Sequence, residues 1–347
     1  MKGEKLNPLS DDCLAAESEQ GACGACALPF KIARYGKARS LTDKNAIYAR
    51  SAGFVKEAAK LENCSNYLVF RHYHTVDQVR LHAASFCKKH LLCPMCAIRR
   101  GAKMLDAYLK RYEAVSANHP DLVPYLVTLT IKNGPDLAER FRHLRGSMRS
   151  MSEARRNAMK GQKFVEFAKS EGGFHSIEVT NRGNGWHPHV HMIWLCREKP
   201  SQAALSAEWL AVTGDSYVVD VRPLTDPVAG FLEVCKYALK FSDLDQERLF
   251  EAYRVLTGRH LVNSHGLMFG VEIPESLTDE PLDDLPYVEL FYRYLPGRGY
   301  SYVPGGYPVS PGSRTDHHLT ASRKYQACEN WSGRPPGRGK RSSQRFA

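Results

Sequence analysis

The chain has 347 residues and is 43% hydrophobic, enough apolar material for a packed core and too much for wholesale disorder. Lys and Arg number 48 against 37 Asp and Glu, a formal net charge of +11 that favours a polyanionic partner, nucleic acid above all. No run of about 18 apolar residues is present, which excludes a transmembrane helix. The opening MKGEKLNPLSDDC has no apolar stretch behind its basic pole, so no signal peptide is expected and the location implied is the cytoplasm.

Residues 1–59 show little periodicity, and their fold is left undefined. Cys23 and Cys26 form a Cys-x-x-Cys pair there, in a Gly/Ala-rich stretch that makes the metal signal weak. Residues 60–118 are expected to form a small zinc-binding module followed by a helix. Tyr67–His74 and Val79–Phe86 are strand-like runs around a polar turn. Cys87, Cys93 and Cys96 follow, and the Cys93-Pro-Met-Cys96 knuckle is of the kind whose thiolates bind Zn²⁺ in a reducing compartment. The fourth ligand must come from elsewhere. Cys64, just ahead of the strand pair, is the first choice, with His82 and His90 as alternatives. Cys13, Cys196, Cys235 and Cys328 read as isolated thiols. Leu105, Leu109 and Tyr112 mark a helix over Ile98–Val115.

Residues 119–265 alternate between strand and helix periods. Tyr125–Lys132 is a strand by its β-branched content. Leu137, Phe141, Leu144, Met148 and Met151 step at helical spacing, and the other face of that helix carries Arg140, Arg142, Arg145 and Arg149, candidate DNA-backbone contacts. Phe174–Thr180 and His187–Leu195 are strands joined by the turn-rich NRGNGW. Pro200–Val212 is helical, Ser216–Val221 extended, and Asp226-Pro227 opens another helix with an N-cap and a first-turn proline. The order β-α-β-β-α-β-α predicts an α+β fold, an antiparallel sheet flanked by helices. Residues 266–312 read as an acidic, Pro-rich flank, since Val271–Leu290 holds seven acids and no Lys or Arg. Residues 313–347 read as a basic, disordered tail.

His187, His189 and His191 alternate along one strand and therefore share a face. If the hairpin pairs about the midpoint between Gly183 and Asn184, Glu178 lies across from His189 on that face. Two imidazoles and a carboxylate suit Mn²⁺ or Mg²⁺ with positions left open for substrate oxygens. Arg71-His72-Tyr73-His74 repeats the His-x-His spacing, but a polar turn follows it and it reads as structural. In the helix after Asp226, Val228, Leu232, Cys235 and Leu239 are expected on the buried stripe, and Glu233, Tyr237 and Lys240 on a polar one. That spacing alone fits an ordinary half-exposed helix face. Chemically it could also offer a tyrosine nucleophile, a lysine one turn on to assist it, and a carboxylate to activate water later.

Taken in order, FCKKHLLCPMC, YLVTLTIKN, EVTNRGNGWHPHVHMIWL and EVCKYALK resemble the replication initiators of rolling-circle plasmids, members of the HUH endonuclease superfamily. The resemblance covers roughly residues 60–245. It implies a five-stranded antiparallel sheet flanked by helices, with His189 and His191 as metal ligands, Tyr237 as nucleophile, Glu233 as the carboxylate before it and Lys240 as the lysine after it. His187 departs from the polar residue common there. The activity implied is metal-dependent nicking of origin DNA through a 5′-phosphotyrosine link, leaving a 3′-OH primer, and strand closure at termination. The partners implied are double- and single-stranded origin DNA, host helicase and host DNA polymerase, with no membrane; a homodimer is left open. Rival readings are an HUH transposase or relaxase, a histidine-triad nucleotide hydrolase suggested by HPHVHMI, and a non-catalytic zinc DNA-binding regulator. Tyr108 and Tyr112 are the alternative tyrosines.

Overall fold

The computed structural model describes residues 24–282 and 285–305. Cys13, Cys23, Cys328, the side chains of Cys26 and Leu239 and the basic tail at 313–347 lie outside what is described. The first helices are α1 (Gly24–Ser51) and α2 (Val55–Glu62), followed by the hairpin β1 (Tyr67–Tyr73) and β2 (Gln78–Ala84) and the long α3 (Pro94–Asn118). Then come β3 (Val123–Thr130), α4 (Leu137–Ala158), β4 (Ser170–Asn181), β5 (Trp186–Cys196), α5 (Gln202–Thr213) and β6 (Val219–Pro223). The chain continues through α6 (Pro227–Cys235), α7 (Gln246–Leu256) and the strands β7 (Val262–Gly266), β8 (Val288–Leu295) and β9 (Gly299–Tyr302). No helix among the described residues is long and apolar enough to cross a membrane.

The strands form two antiparallel sheets over one continuous core, a five-stranded sheet in the order β6-β3-β5-β4-β7 and a four-stranded one in the order β2-β1-β8-β9. The α+β class and the five-stranded antiparallel sheet agree with the sequence reading. In the larger sheet, Gly183 (φ +97°) and Gly185 (φ +95°) take left-handed backbone in the β4–β5 turn, a conformation that a Cβ disfavours. The resulting register sets Glu178 opposite His189 and Ser176 opposite His191, the pairing expected from the turn midpoint. Helix α4 begins at Asp136, whose carboxylate accepts from the amides of Ala138 and Glu139. Its Leu144 and Met148 are buried. Phe167, just before β4, stacks on Trp194 of β5 at 4.7 Å. On the opposite face, α3 and α6 close over the sheet through Tyr108 and Phe231, which meet Phe174 at 3.9 and 5.1 Å.

The smaller sheet was not foreseen as a whole. Its strands β8 and β9 come from the segment read as an acidic flank, and β8 pairs with β1 over Tyr67–His72. Against it lies α1, in the segment left undefined. Here Arg39 donates to the Glu62 carbonyl (2.8 Å) and to Asn66 (3.0 Å), and Asn45 donates to the Leu92 carbonyl (2.8 Å). These buried polar groups tie α1 to the segments that carry the cysteines.

Candidate functional site

Two groups of metal-type side chains stand out. The first is Cys64, Cys87, Cys93 and Cys96. The hairpin β1–β2 brings its two ends together, so that Cys64 and Cys87 become neighbours, and the first turn of α3 supplies Cys96. Sulfur–sulfur distances are 3.5 Å for Cys64–Cys93 and 3.6 Å for Cys64–Cys96 and Cys87–Cys96. A tetrahedral Zn²⁺ with bonds of about 2.3 Å needs its sulfurs about 3.8 Å apart, so the four thiols fit such an ion with little movement. Hydrogen bonds from the other three thiols hold Cys64 far below the usual thiol range. Burial pushes Cys93 up, and the Cys64 sulfur does the same to Cys96. One thiolate is thus favoured without a cation, and more charge would need one. The Thr42 hydroxyl lies 3.5 Å from Cys93 and the Ser65 hydroxyl 3.5 Å from Cys64, outer partners that orient the sulfurs. Cys64 is therefore the fourth cysteine of the cluster. His90 lies elsewhere, edge-on to Tyr237 with ring centroids 6.3 Å apart.

The second group is Glu178, His189 and His191, whose ligand atoms all lie within 4.8 Å of one another. The two imidazole Nε2 atoms sit 3.4 and 3.5 Å from the two carboxylate oxygens. Glu178 is buried to 3% side-chain exposure, yet its Oε2 has no hydrogen-bond partner. An orphaned carboxylate oxygen between two imidazoles is what a cation would satisfy. The other ring nitrogens are held. Nδ1 of His191 lies 3.1 Å from the Thr128 hydroxyl, and Nδ1 of His189 lies 3.3 Å from the His187 carbonyl. That leaves both Nε2 atoms pointing at the carboxylate. Burial holds His191 down at about 4, so its imidazole is neutral and able to ligate at pH 7. Burial works to raise the Glu178 pKa, but the hydrogen bond and charge of His189, then Lys240 and His191, bring it below the usual carboxylate value. His187 is not part of the group; its Nδ1 bonds Asn133.

The helix after Asp226 departs from expectation. Asp226 does cap it, accepting from the Ala229 amide at 3.2 Å, but α6 ends at Cys235 and a turn over 236–238 replaces the continuous helix. Leu232 and Cys235 are buried as expected, but Val228 is 40% exposed, and Phe231 and Val234 join the buried stripe. The break separates the three polar residues. Lys240 Nζ approaches Glu178 at 3.8 Å. Glu233 pairs with the buried Lys236 at 2.6 Å and adds its charge to the field at His191. Tyr237 is 4% exposed and sits against His90. Burial raises its phenol pKa, while the charge and hydrogen bond of Arg100 work against that rise. The structure therefore brings Glu178, His189, His191 and Lys240 together, with Glu233 close by, and packs Tyr237 toward the cysteine-bearing segment.

Other candidates resolve into structural roles. Tyr108 stacks on Phe174 and is 3% exposed, and Tyr112 packs on Phe231. His72 pairs with Asp77 at 2.8 Å. Arg140 differs from the other arginines of α4: Glu139 and Asp215 both pair with it, and its side chain is only 13% exposed. Arg142, Arg145 and Arg149 have no acidic partner among the described residues.

Comparison with known proteins matches residues 78–289 to the family described as Replication protein. A relative named Protein rep from Bacillus sp is 28% identical over 50% of this chain and 55% of its own length. A second Protein rep, from Bacillus amyloliquefaciens, is 27% identical over 49% of each chain. The chain thus spans about half the length of these two. A third, from Lactiplantibacillus plantarum, is 24% identical over 73% of this chain and 87% of its own. No solved structure matches.

Proposed function

Because the chain belongs to the replication-protein family, we propose that it initiates rolling-circle replication of a plasmid by nicking one strand of the origin. The observation that carries the chemistry is the buried, under-satisfied Glu178 carboxylate set between His189 and His191, with Lys240 beside it. These three ligands suit Mn²⁺ or Mg²⁺, which when bound supplies Lewis-acid polarisation of a phosphodiester.

The chain's own groups do the rest. Lys240 contributes a positive charge where the phosphate oxygens develop negative charge. Tyr237 Oη attacks the phosphorus, a Tyr–O–P bond to the 5′ side forms, the bond to the 3′ oxygen breaks, and that oxygen leaves as a 3′-OH after taking up a proton. The phenol gives up its own proton on attack, which the Arg100 charge favours. In the DNA-free protein the phenol is buried, so strand engagement has to open the turn over 236–238. Glu233, paired with Lys236, serves afterwards as the base that activates water for release. Arg142, Arg145 and Arg149 bear on the DNA backbone. The four cysteines hold a structural Zn²⁺. The 3′-OH is extended by host polymerase behind a host helicase.

The test is incubation of the protein with supercoiled plasmid carrying its origin and Mn²⁺. Nicked circles and a covalent adduct on Tyr237 are expected, and Tyr237→Phe should lose both while still binding the origin. An adduct that persists in Tyr237→Phe, mapped to Tyr108 or Tyr112, overturns the nucleophile. Origin binding with no metal-dependent nicking would instead leave a zinc DNA-binding regulator.

A further inference from the structure

Side chains of β4 alternate between faces, so His175 and Ile177 lie on the side of the sheet opposite Glu178. On that side α4, the middle of β4 and the β7 region line an open cavity of about 370 Å³. Arg145, Arg149 and Arg156 line it together with His175, His260 and His265, and no Asp or Glu does. Its floor is built and fixed. The buried Arg155 donates twice to the Ser170 carbonyl, at 2.6 and 3.3 Å, and the His265 ring bonds the Ser170 hydroxyl at 2.9 Å.

The rim is the opposite of satisfied. Among the described residues Arg145, Arg149 and Arg156 make no ion pair and no hydrogen bond. They recur at helical spacing on one stripe, where like charges i,i+4 destabilise an isolated helix by about 0.2–0.5 kcal/mol per pair. Elsewhere the fold neutralises such groups: Arg140, on the same helix, has two acids. An acid-free, arginine-lined hollow with a rigid floor suits an anion of several oxygens, and guanidinium forks match phosphate in particular.

We propose that this cavity holds backbone phosphates of a DNA strand, a second DNA contact on the face of the sheet opposite the metal group. The assignment rests on the replication reading only for the identity of the phosphate bearer. A strand touching both places has to turn around the edge of the five-stranded sheet. Arg156, His260 and Asn263 thereby join the DNA-facing surface.

The test compares the parent with the double variant Arg149→Gln/Arg156→Gln, both exposed positions whose loss leaves the floor intact. Binding of a labelled thymidine homopolymer, and of the corresponding adenine–thymine duplex, is followed by anisotropy across a salt series. For two lost phosphate contacts the slope of log K against log salt should shrink by about 1.4 on the single strand or about 1.8 on the duplex. The probe that responds identifies which form of DNA the cavity holds. The control Lys56→Gln/Lys60→Gln removes the same charge from α2 and should leave both slopes at the parental value. Unchanged slopes in the arginine variant on both probes, or an equal fall in the lysine control, overturn the proposal. Neither measurement needs cleavage, so a parent that binds without nicking would sink the nicking reading and still decide this one.

Discussion

Replacing Glu178 by Gln keeps the side chain's shape and removes one negative charge from between His189 and His191. The scale of the loss follows from the geometry. Two unit charges about 4 Å apart at an effective dielectric near 20 interact by about 4 kcal/mol, and a divalent ion doubles that figure. Desolvation of a buried carboxylate cancels much of it, and an amide oxygen still offers a neutral ligand. A net loss of about 3 kcal/mol remains, which weakens Mn²⁺ binding roughly a hundredfold. Isothermal titration with Mn²⁺, on protein whose cysteines are already saturated with zinc, reads this directly. The metal-free variant should stay folded, because Lys240 is close enough to solvent to lose its partner cheaply. A dissociation constant within about threefold of the parent would show that Glu178 is not a ligand, despite its position opposite His189.

Glu233→Ala should still nick and form the adduct but release it slowly; general-base help is worth ~10²–10⁴-fold, and an equal loss of both steps would make Glu233 a structural partner of Lys236. Cys96→Ser should lose bound zinc, measured by mass spectrometry on the native protein, and at least about 3 kcal/mol of stability, lowering Tm by roughly 6–12 °C; full zinc content with parental Tm would refute the cluster's role. Burial holds His175 at about 4 and His265 at about 3, both below the value of an unfolded histidine. The unfolded chain then binds more protons below about pH 6.5, so stability is complete above that pH and falls as pH drops toward 4, by up to about 1.4 kcal/mol per unit for each ring. Urea unfolding at pH 7 and pH 5 measures the slope, and a profile flat over that range would contradict the burial of these imidazoles.

What could be read from the sequence was local. Strand alternation placed His189 and His191 on one face, and the turn midpoint alone was enough to set Glu178 opposite His189. Cys64 was reachable because a hairpin returns the chain to where it started. What could not be read depended on distant partners. Helix α1 hides its period because Arg39, Thr42 and Asn45 are buried among its apolar residues, each with a distant partner (for Thr42 the Cys93 sulfur) that local patterning cannot supply. Arg140 looks like its neighbours until Asp215, in another loop, neutralises it. The end of α6 at Cys235 has no glycine or proline to announce it; packing against α3 and the cysteine-bearing segment gives Tyr237 its place. The acidic composition around Val271–Leu290 obscured β8, whose partner β1 precedes it by more than two hundred residues.

That last separation bears on how the protein is made. As the chain leaves the ribosome, β2 covers one side of β1 almost at once, but the other side waits for β8. At about 5–20 residues per second the gap amounts to roughly 10–40 s during which a row of backbone donors and acceptors, flanked by Leu68 and Phe70, stands bare. Such an edge is a template for another nascent chain on the same message. A shortened version ending after β7 would keep the metal group and the cysteines and yet carry that bare edge permanently. Trimming the protein to its apparent catalytic part therefore invites aggregation, and any expression design should keep residues 285–305.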